Sequence, residues 1–144
     1  MRDLVPKKIE IQATIGHVGI EISDLKKSRK FYEVLLKGLN FRLVMDTGEA
    51  VGFSNQNFSV WLSKSSPARI KREAPTGEEN MVSDHLAILV PDKETVNTIT
   101  REMEKNGFTS LFPPEDHPEF MSGYYAVSFC DPDHYVIEVY THPQ

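Results

Sequence analysis

Two histidines and one glutamate are the residues of this sequence best suited to chemistry. His17 lies near the start of the segment IGHVGIEI, and His85 lies near the start of DHLAILVPD. Glu138 interrupts the otherwise apolar segment YVIEVY. Two imidazoles and one carboxylate on rigid strands form a facial ligand set that leaves positions on a divalent metal ion open for substrate or water. The alternative is that each of the three is separately hydrogen-bonded and has only a structural role.

The two histidines occupy equivalent positions in an internal repeat. His85 follows His17 by 68 positions (85 − 17), and the candidate helix cap Asp92 follows Asp24 by the same 68 (92 − 24). A glycine near the predicted end of each helix recurs after 69 positions. Agreement at three landmarks indicates a duplicated unit. The repeat favours joint action of the histidines, because it places them at the same point of two similar modules.

Each repeat has the pattern of one strand, one helix and then three short strands. Alternating polarity predicts a strand at each histidine, and apolar residues at helical spacing follow each candidate cap. The later strands are predicted at FRLVM, AVGFS and FSVWLSK, then at FTSLF, YYAVSF and YVIEVY. The fold class is therefore α+β with two tandem βαβββ modules. We expect one domain over residues 1–144, with module one at about 11–64, an exposed linker at about 65–82 and module two at about 83–142.

Composition excludes several partner classes. The chain has 144 residues, 40% of them apolar, and a net charge of −5, so nothing in it attracts a polyanion such as nucleic acid. No segment approaches the roughly 20 apolar residues of a membrane span, and the first residues lack a secretory signal. The lone Cys130 cannot form a disulfide within the chain. We therefore expect a cytoplasmic protein without membrane or nucleic-acid partners.

Three segments together resemble the vicinal oxygen chelate superfamily, which includes glyoxalase I, bleomycin-resistance proteins, extradiol dioxygenases and fosfomycin-resistance enzymes. The segments are HVGIEISDLKKSRKFYEVLL, DHLAILVPD and DPDHYVIEV, and the resemblance spans nearly the whole chain. It implies a cup-shaped mixed β-sheet with helices packed outside. It also implies that His17, His85 and Glu138 bind a divalent metal (Fe, Mn, Zn or Ni). The implied function is bidentate chelation and electrophilic activation of a small oxygenated metabolite or xenobiotic, by a lyase, transferase or extradiol-type dioxygenase.

Two residues depart from the family pattern. Members like glyoxalase I carry a fourth ligand in the last strand of module one, where FSVWLSK supplies Trp61. Trp61 cannot bind metal, so it is either a substrate-binding pocket wall or plain core. Three ligands weaken a glyoxalase I assignment and favour the dioxygenases or the fosfomycin enzymes. His134 stands where the family has a glycine, and we expect a role in the turn rather than as a ligand.

Further catalytic candidates follow from strand alternation. Glu21 either points into the cup as a general base or reaches solvent at the strand end. Tyr124 and Tyr125 begin a strand, so one of them must face the cup, where a phenol positions an oxyanion or simply packs. His117, in a proline-rich loop, and His142, in the tail, lack ligand spacing, and we expect both to be exposed.

Rival functions and the assembly state stay open at this level. A metal-free ligand-binding protein of the bleomycin-resistance kind would use the same cup without chemistry, but such proteins typically lack the ligand set that this chain retains. A regulatory ligand sensor would need the cup but no open metal position. An isologous homodimer is expected because pairing removes exposed edge strands. The sequence does not decide whether the site lies within one chain or across two.

Overall fold

The chain forms two modules with the same order of elements. A computed structural model describes residues 13–70, 72–75 and 84–143. Module one contains β1 (His17–Ile22), α1 (Leu25–Gly38), β2 (Arg42–Asp46), β3 (Ala50–Ser54) and β4 (Ser59–Lys64). Module two contains β5 (His85–Leu89), α2 (Lys93–Lys105), β6 (Phe112–Asp116), β7 (Tyr125–Cys130) and β8 (Val136–Thr141). The predicted α+β fold with two βαβββ repeats is confirmed.

Both helices begin at the predicted aspartates. The side chain of Asp24 accepts a hydrogen bond from the backbone of Lys27 at 3.0 Å, and Asp92 accepts one from Thr95 at 2.8 Å. These bonds satisfy backbone donors that the first helical turn leaves unpaired. α1 ends at Gly38, where a Cβ atom would lie 2.6 Å from Cδ1 of Ile99 in α2. Gly38 therefore lets the two helices approach closely.

Each module forms a four-stranded sheet of the same topology. The strand orders are β1-β4-β3-β2 and β5-β8-β7-β6, with the first pair parallel and the others antiparallel. Among the described residues no strand pairing joins the two sheets. The helices cover one face of each sheet, and we call the opposite face, which carries His17 or His85, the cup face. Because β1 and β5 stand at one end of these strand orders, both are edge strands.

One apolar core unites the modules. It includes residues of both helices and both sheets, and Phe31 of α1 packs edge-to-face on Phe108 of module two at 5.3 Å. A buried polar contact joins the modules beside this core: the Tyr32 hydroxyl donates to the Asp131 carboxylate at 2.7 Å. Burial raises the pKa of Asp131 above its ordinary range, while the Tyr32 hydroxyl and backbone donors oppose that shift.

Two expectations for module two need correction. The strand predicted at FTSLF lies further along, at Phe112–Asp116, and includes two prolines. Proline is accepted there because β6 is an edge strand with a register shift between Phe112 and Glu115. His117 is not exposed: only 5% of it is accessible to solvent.

Neither helix of the described residues is long and apolar enough to cross a bilayer.

His134 has the predicted structural role in the turn before β8. Its backbone lies in the left-handed region, with φ 67°, in the turn between Asp131 and Tyr135. His134 therefore adopts the conformation that glycine favours at this point. Its Nδ1 atom lies 4.0 Å from the Cys130 sulfur. Burial, with a smaller effect of Asp131, raises the pKa of the Cys130 thiol to about 11, which suits an unreactive structural thiol.

Candidate functional site

His85 and Glu138 meet on the cup face of the second sheet. β5 and β8 run parallel, with Ala87 opposite Glu138, and His85 lies two residues before Ala87 on the same face. The His85 Nε2 atom is 3.4 Å from Oε2 of Glu138. Glu138 is only 7% exposed although β8 is otherwise apolar at its centre. A carboxylate buried to this degree needs compensating partners.

The separation of these two atoms fits two ligands of one metal ion. Metal–nitrogen and metal–oxygen bonds of the zinc type are about 2.0–2.2 Å long, so two such donors at a tetrahedral angle lie about 3.3–3.6 Å apart. A direct charge-assisted hydrogen bond is shorter, about 2.7–2.9 Å. The donors are also of the borderline N and O type that first-row divalent ions accept. His85 and Glu138 therefore fit a metal site.

His17 lies on the other sheet and does not join this pair within one chain. It is exposed at the first position of β1, opposite Ser59 of β4. In the described part of the chain, no group of three His, Cys, Asp or Glu side chains has metal-ligand spacing. The structure thus brings together two of the three predicted ligands, and the role of His17 as the third stays a prediction.

Of the two candidate tyrosines, Tyr124 lies at the site and Tyr125 does not. The Tyr124 hydroxyl donates to Oε1 of Glu138. Burial, followed by the neighbouring Glu138, raises the pKa of Tyr124 well above its ordinary value, so this phenol is a proton donor and not a phenolate at neutral pH. Tyr125 faces α2 instead: its hydroxyl donates to Asn97 at 2.8 Å, and the Lys93 ammonium lies over its ring.

A row of five rings extends along this side of the site. Neighbouring ring centroids in the row are 4.8–6.0 Å apart. The members are His117, Phe120, Tyr124, Tyr140 and His142. His117 is held by Glu119 at 2.9 Å, which lowers the pKa of that carboxyl. The sequence signal for this row was the apolar pair Phe120 and Met121 within a polar loop, and it was missed.

Trp61 belongs to the cup face of the first sheet rather than to the core. It is half-buried, and Gly19 and Gly52 are its neighbours in the adjoining strands. Its ring covers Gly52, where a Cβ atom would lie 2.5 Å from the indole, while a Cβ atom at Gly19 would meet nothing within 4 Å. Trp61 thus leaves the surface beside Gly19 open, on the same face as His17.

Glu21 is engaged by the segment that follows β4. Its side chain is 41% exposed and forms an ion pair with Arg69 at 2.9 Å. Its backbone carbonyl faces the Arg72 guanidinium at 3.5 Å. Glu21 lies on the same face of β1 as His17, and its carboxylate is oriented by an exposed arginine, so its role as a general base stays a prediction.

Comparison with known proteins identifies the family. Residues 14–139 match the sequence model of the Glyoxalase/Bleomycin resistance protein/Dioxygenase superfamily. The chain belongs to this superfamily. The resemblance to the vicinal oxygen chelate proteins is therefore confirmed.

Individual relatives of this superfamily member are distant in sequence. The Bacillus subtilis protein YqjT is 23% identical over 123 residues, which cover 85% of this chain and 94% of YqjT. A glyoxalase/bleomycin resistance protein/dioxygenase from Alicyclobacillus acidocaldarius superposes with a TM-score of 0.69 at 17% identity, covering 90% of this chain and 92% of the other. A lactoylglutathione lyase from Agrobacterium tumefaciens gives 0.66 at 19% identity, covering 91% and 95%. These structural similarities establish the fold and not the reaction.

Proposed function

We propose that this chain is a divalent-metal-dependent enzyme that chelates a small oxygenated metabolite or xenobiotic through adjacent oxygens. The observation that carries the proposal is the pair of His85 and Glu138, whose nearest nitrogen and oxygen lie 3.4 Å apart on one sheet face. A bound ion supplies Lewis-acid polarisation of the substrate oxygens and stabilises the oxyanion that develops. The reaction would be of the lyase, transferase or extradiol-type dioxygenase class.

The third ligand, in this proposal, is His17 from a second copy of the chain. His17 is exposed at the start of the edge strand β1, and β5, which carries His85, is also an edge strand. Module one also exposes apolar residues at both edges of its sheet: Ile15, which is 62% exposed, lies just before β1, and the exposed run Leu43–Met45 lies on β2. A continuous run of exposed apolar residues such as Leu43–Met45 marks an interaction surface, and an isologous dimer would cover it twice.

The chain's own groups divide into those that face the proposed site and those that do not. Trp61 would come with His17 from the first sheet and form a flat wall for an apolar part of the substrate. We assign no catalytic role to Glu21, because Arg69 holds its carboxylate. We assign none to Tyr125, because its hydroxyl bonds to Asn97 on the helix side. In this proposal the metal has three protein ligands. The protein works in the cytoplasm, where Cys130 stays reduced.

Metal analysis of the purified protein, prepared without chelators, tests this function. We expect about one ion per chain in the wild type, or uptake of one on addition of Fe(II), Mn(II), Zn(II) or Ni(II). Glu138→Ala should lose this binding, whereas the control His142→Ala, which removes an imidazole just beyond the end of β8, should retain it. Failure of the wild type to bind any of these ions would refute the proposal. The cup would then be a metal-free ligand site of the bleomycin-resistance kind.

A further inference from the structure

We infer that Tyr124 is a positioning residue that restricts Glu138 to binding the metal through one oxygen, Oε2. This inference rests on the proposed function, because it assigns a role to Tyr124 within the same metal site. It concerns the geometry of the ligand and not the chemistry of the substrate.

The two oxygens of Glu138 have different partners. Oε1 accepts the hydrogen bond from the Tyr124 hydroxyl, whereas Oε2 is the atom nearest to Nε2 of His85. A carboxylate binds a metal through one oxygen or through both. With Oε1 occupied by the phenol, the second mode is disfavoured. On a bound ion, one more coordination position would then stay open for a chelating substrate with two oxygens.

The surroundings of Tyr124 fix the direction of its hydroxyl. Its ring stacks on Tyr140 with centroids 4.8 Å apart and planes 18° apart, and Phe120 contacts it edge-on at 5.6 Å. Its backbone is held as well: its N–H donates to the carbonyl of Met121 at 3.0 Å, and its carbonyl accepts from the N–H of His117 at 2.8 Å. The ring therefore has a defined position without the hydroxyl.

This packing allows a test that removes only the hydroxyl. Tyr124→Phe keeps the ring contacts, and the matched control Tyr125→Phe deletes the neighbouring hydroxyl, which bonds to Asn97. The affinity of each variant for Zn(II) is measured by competition with a chromophoric chelator. The visible absorption of the Co(II) form is recorded in parallel, because it reports coordination number. Thermal unfolding of the metal-free proteins shows whether both variants fold.

We expect Tyr124→Phe to bind Zn(II) about 10- to 100-fold more weakly than the wild type, as loss of a hydrogen bond to a metal ligand typically does. Its Co(II) spectrum should change in intensity, because Oε1 becomes free to coordinate. Tyr125→Phe should match the wild type in both measurements.

Three outcomes would overturn the inference, and they are distinguishable. Equal Zn(II) affinity and identical Co(II) spectra for Tyr124→Phe and wild type would refute the role of Tyr124 but leave the metal site standing. Equal weakening by Tyr124→Phe and Tyr125→Phe would show a general effect of lost stability. No metal binding by the wild type would refute the proposed function together with this inference.

Discussion

The hydrogen bond between Tyr32 and Asp131 offers a direct test of how the two modules are joined. Tyr32 lies on α1 of module one, and Asp131 lies in the turn before β8 of module two. Both are almost completely buried, with 1% and 3% of their surface exposed. The other carboxylate oxygen of Asp131 accepts from the backbone of Asp133 and Tyr135, both at 2.8 Å. Tyr32→Phe removes one of three donors and keeps the ring.

The expected loss of stability follows from the charge of the acceptor. Hydrogen bonds to charged groups contribute about 1.5–3 kcal/mol, so Tyr32→Phe should lower the free energy of unfolding by about that amount at neutral pH. For a chain of this size the loss corresponds to a fall of roughly 3–10 °C in melting temperature. Urea unfolding measures this loss of stability. Both proteins are compared at the same concentration, because association of chains shifts the apparent stability.

The pH dependence gives the prediction a sign. Burial holds the pKa of Asp131 above its unfolded value, so ionisation of this carboxyl opposes folding as the pH rises through the folded-state pKa. The Tyr32 hydroxyl partly offsets that shift, and its removal raises the pKa of Asp131 further. The deficit of Tyr32→Phe should therefore be largest at neutral pH and shrink as the pH falls and Asp131 becomes protonated in both proteins.

Tyr135→Phe is the matched control, since it removes a hydroxyl on the same turn for which the described residues show no hydrogen-bond partner. It should change the free energy of unfolding by less than about 0.5 kcal/mol. A Tyr32→Phe deficit as small as that of Tyr135→Phe, or one that stays constant from neutral to acid pH, would refute the assignment of this contact as a buried, charge-assisted link between the modules.

Two other predictions concern the cup face. Gly52→Ala should displace the ring of the single tryptophan, Trp61, shift its fluorescence emission and cost about 1–3 kcal/mol of stability. The control Gly19→Ala should leave the emission unchanged. Equal spectra for both variants would contradict the packing of Trp61 on Gly52. The pKa of Cys130 is raised to about 11 from an ordinary 9.0, which predicts about a hundredfold less thiolate at pH 8 than in a free thiol. Cys130 should therefore react slowly with a disulfide reagent, and the rate should rise as the pH approaches 11. A rate equal to that of an unfolded control would contradict this prediction.

The fold followed from the sequence because its signals are local and occur twice. Asp24 and Asp92 cap helices through their own backbone neighbours, and alternating polarity assigns each strand residue to a face. The same alternation predicted that one of Tyr124 and Tyr125 faces the cup, and the structure assigns that position to Tyr124. Local rules of this kind need no knowledge of how the modules meet.

The parts that escaped sequence reasoning depend on contacts between distant residues. The polarity pattern places His17 on one face of a strand, but it does not tell which sheet that face meets. Within one chain, His17 does not join His85 and Glu138. His117 lies in a proline-rich loop and lacks ligand spacing, which predicts an exposed side chain. It is buried because Phe120, three residues on, stacks over it, and because its backbone N–H bonds to Tyr124.

The most direct test of the central claim is metal binding by mixed dimers. His17→Ala and His85→Ala chains, each carrying a different affinity tag, are produced separately and together. Each variant alone should bind no metal. If His17 comes from the partner, each mixed dimer regains one intact site, so random pairing should restore about a quarter of the wild-type metal content. A coexpressed sample as empty as the single variants, beside a metal-binding wild type, would contradict a site shared between two copies.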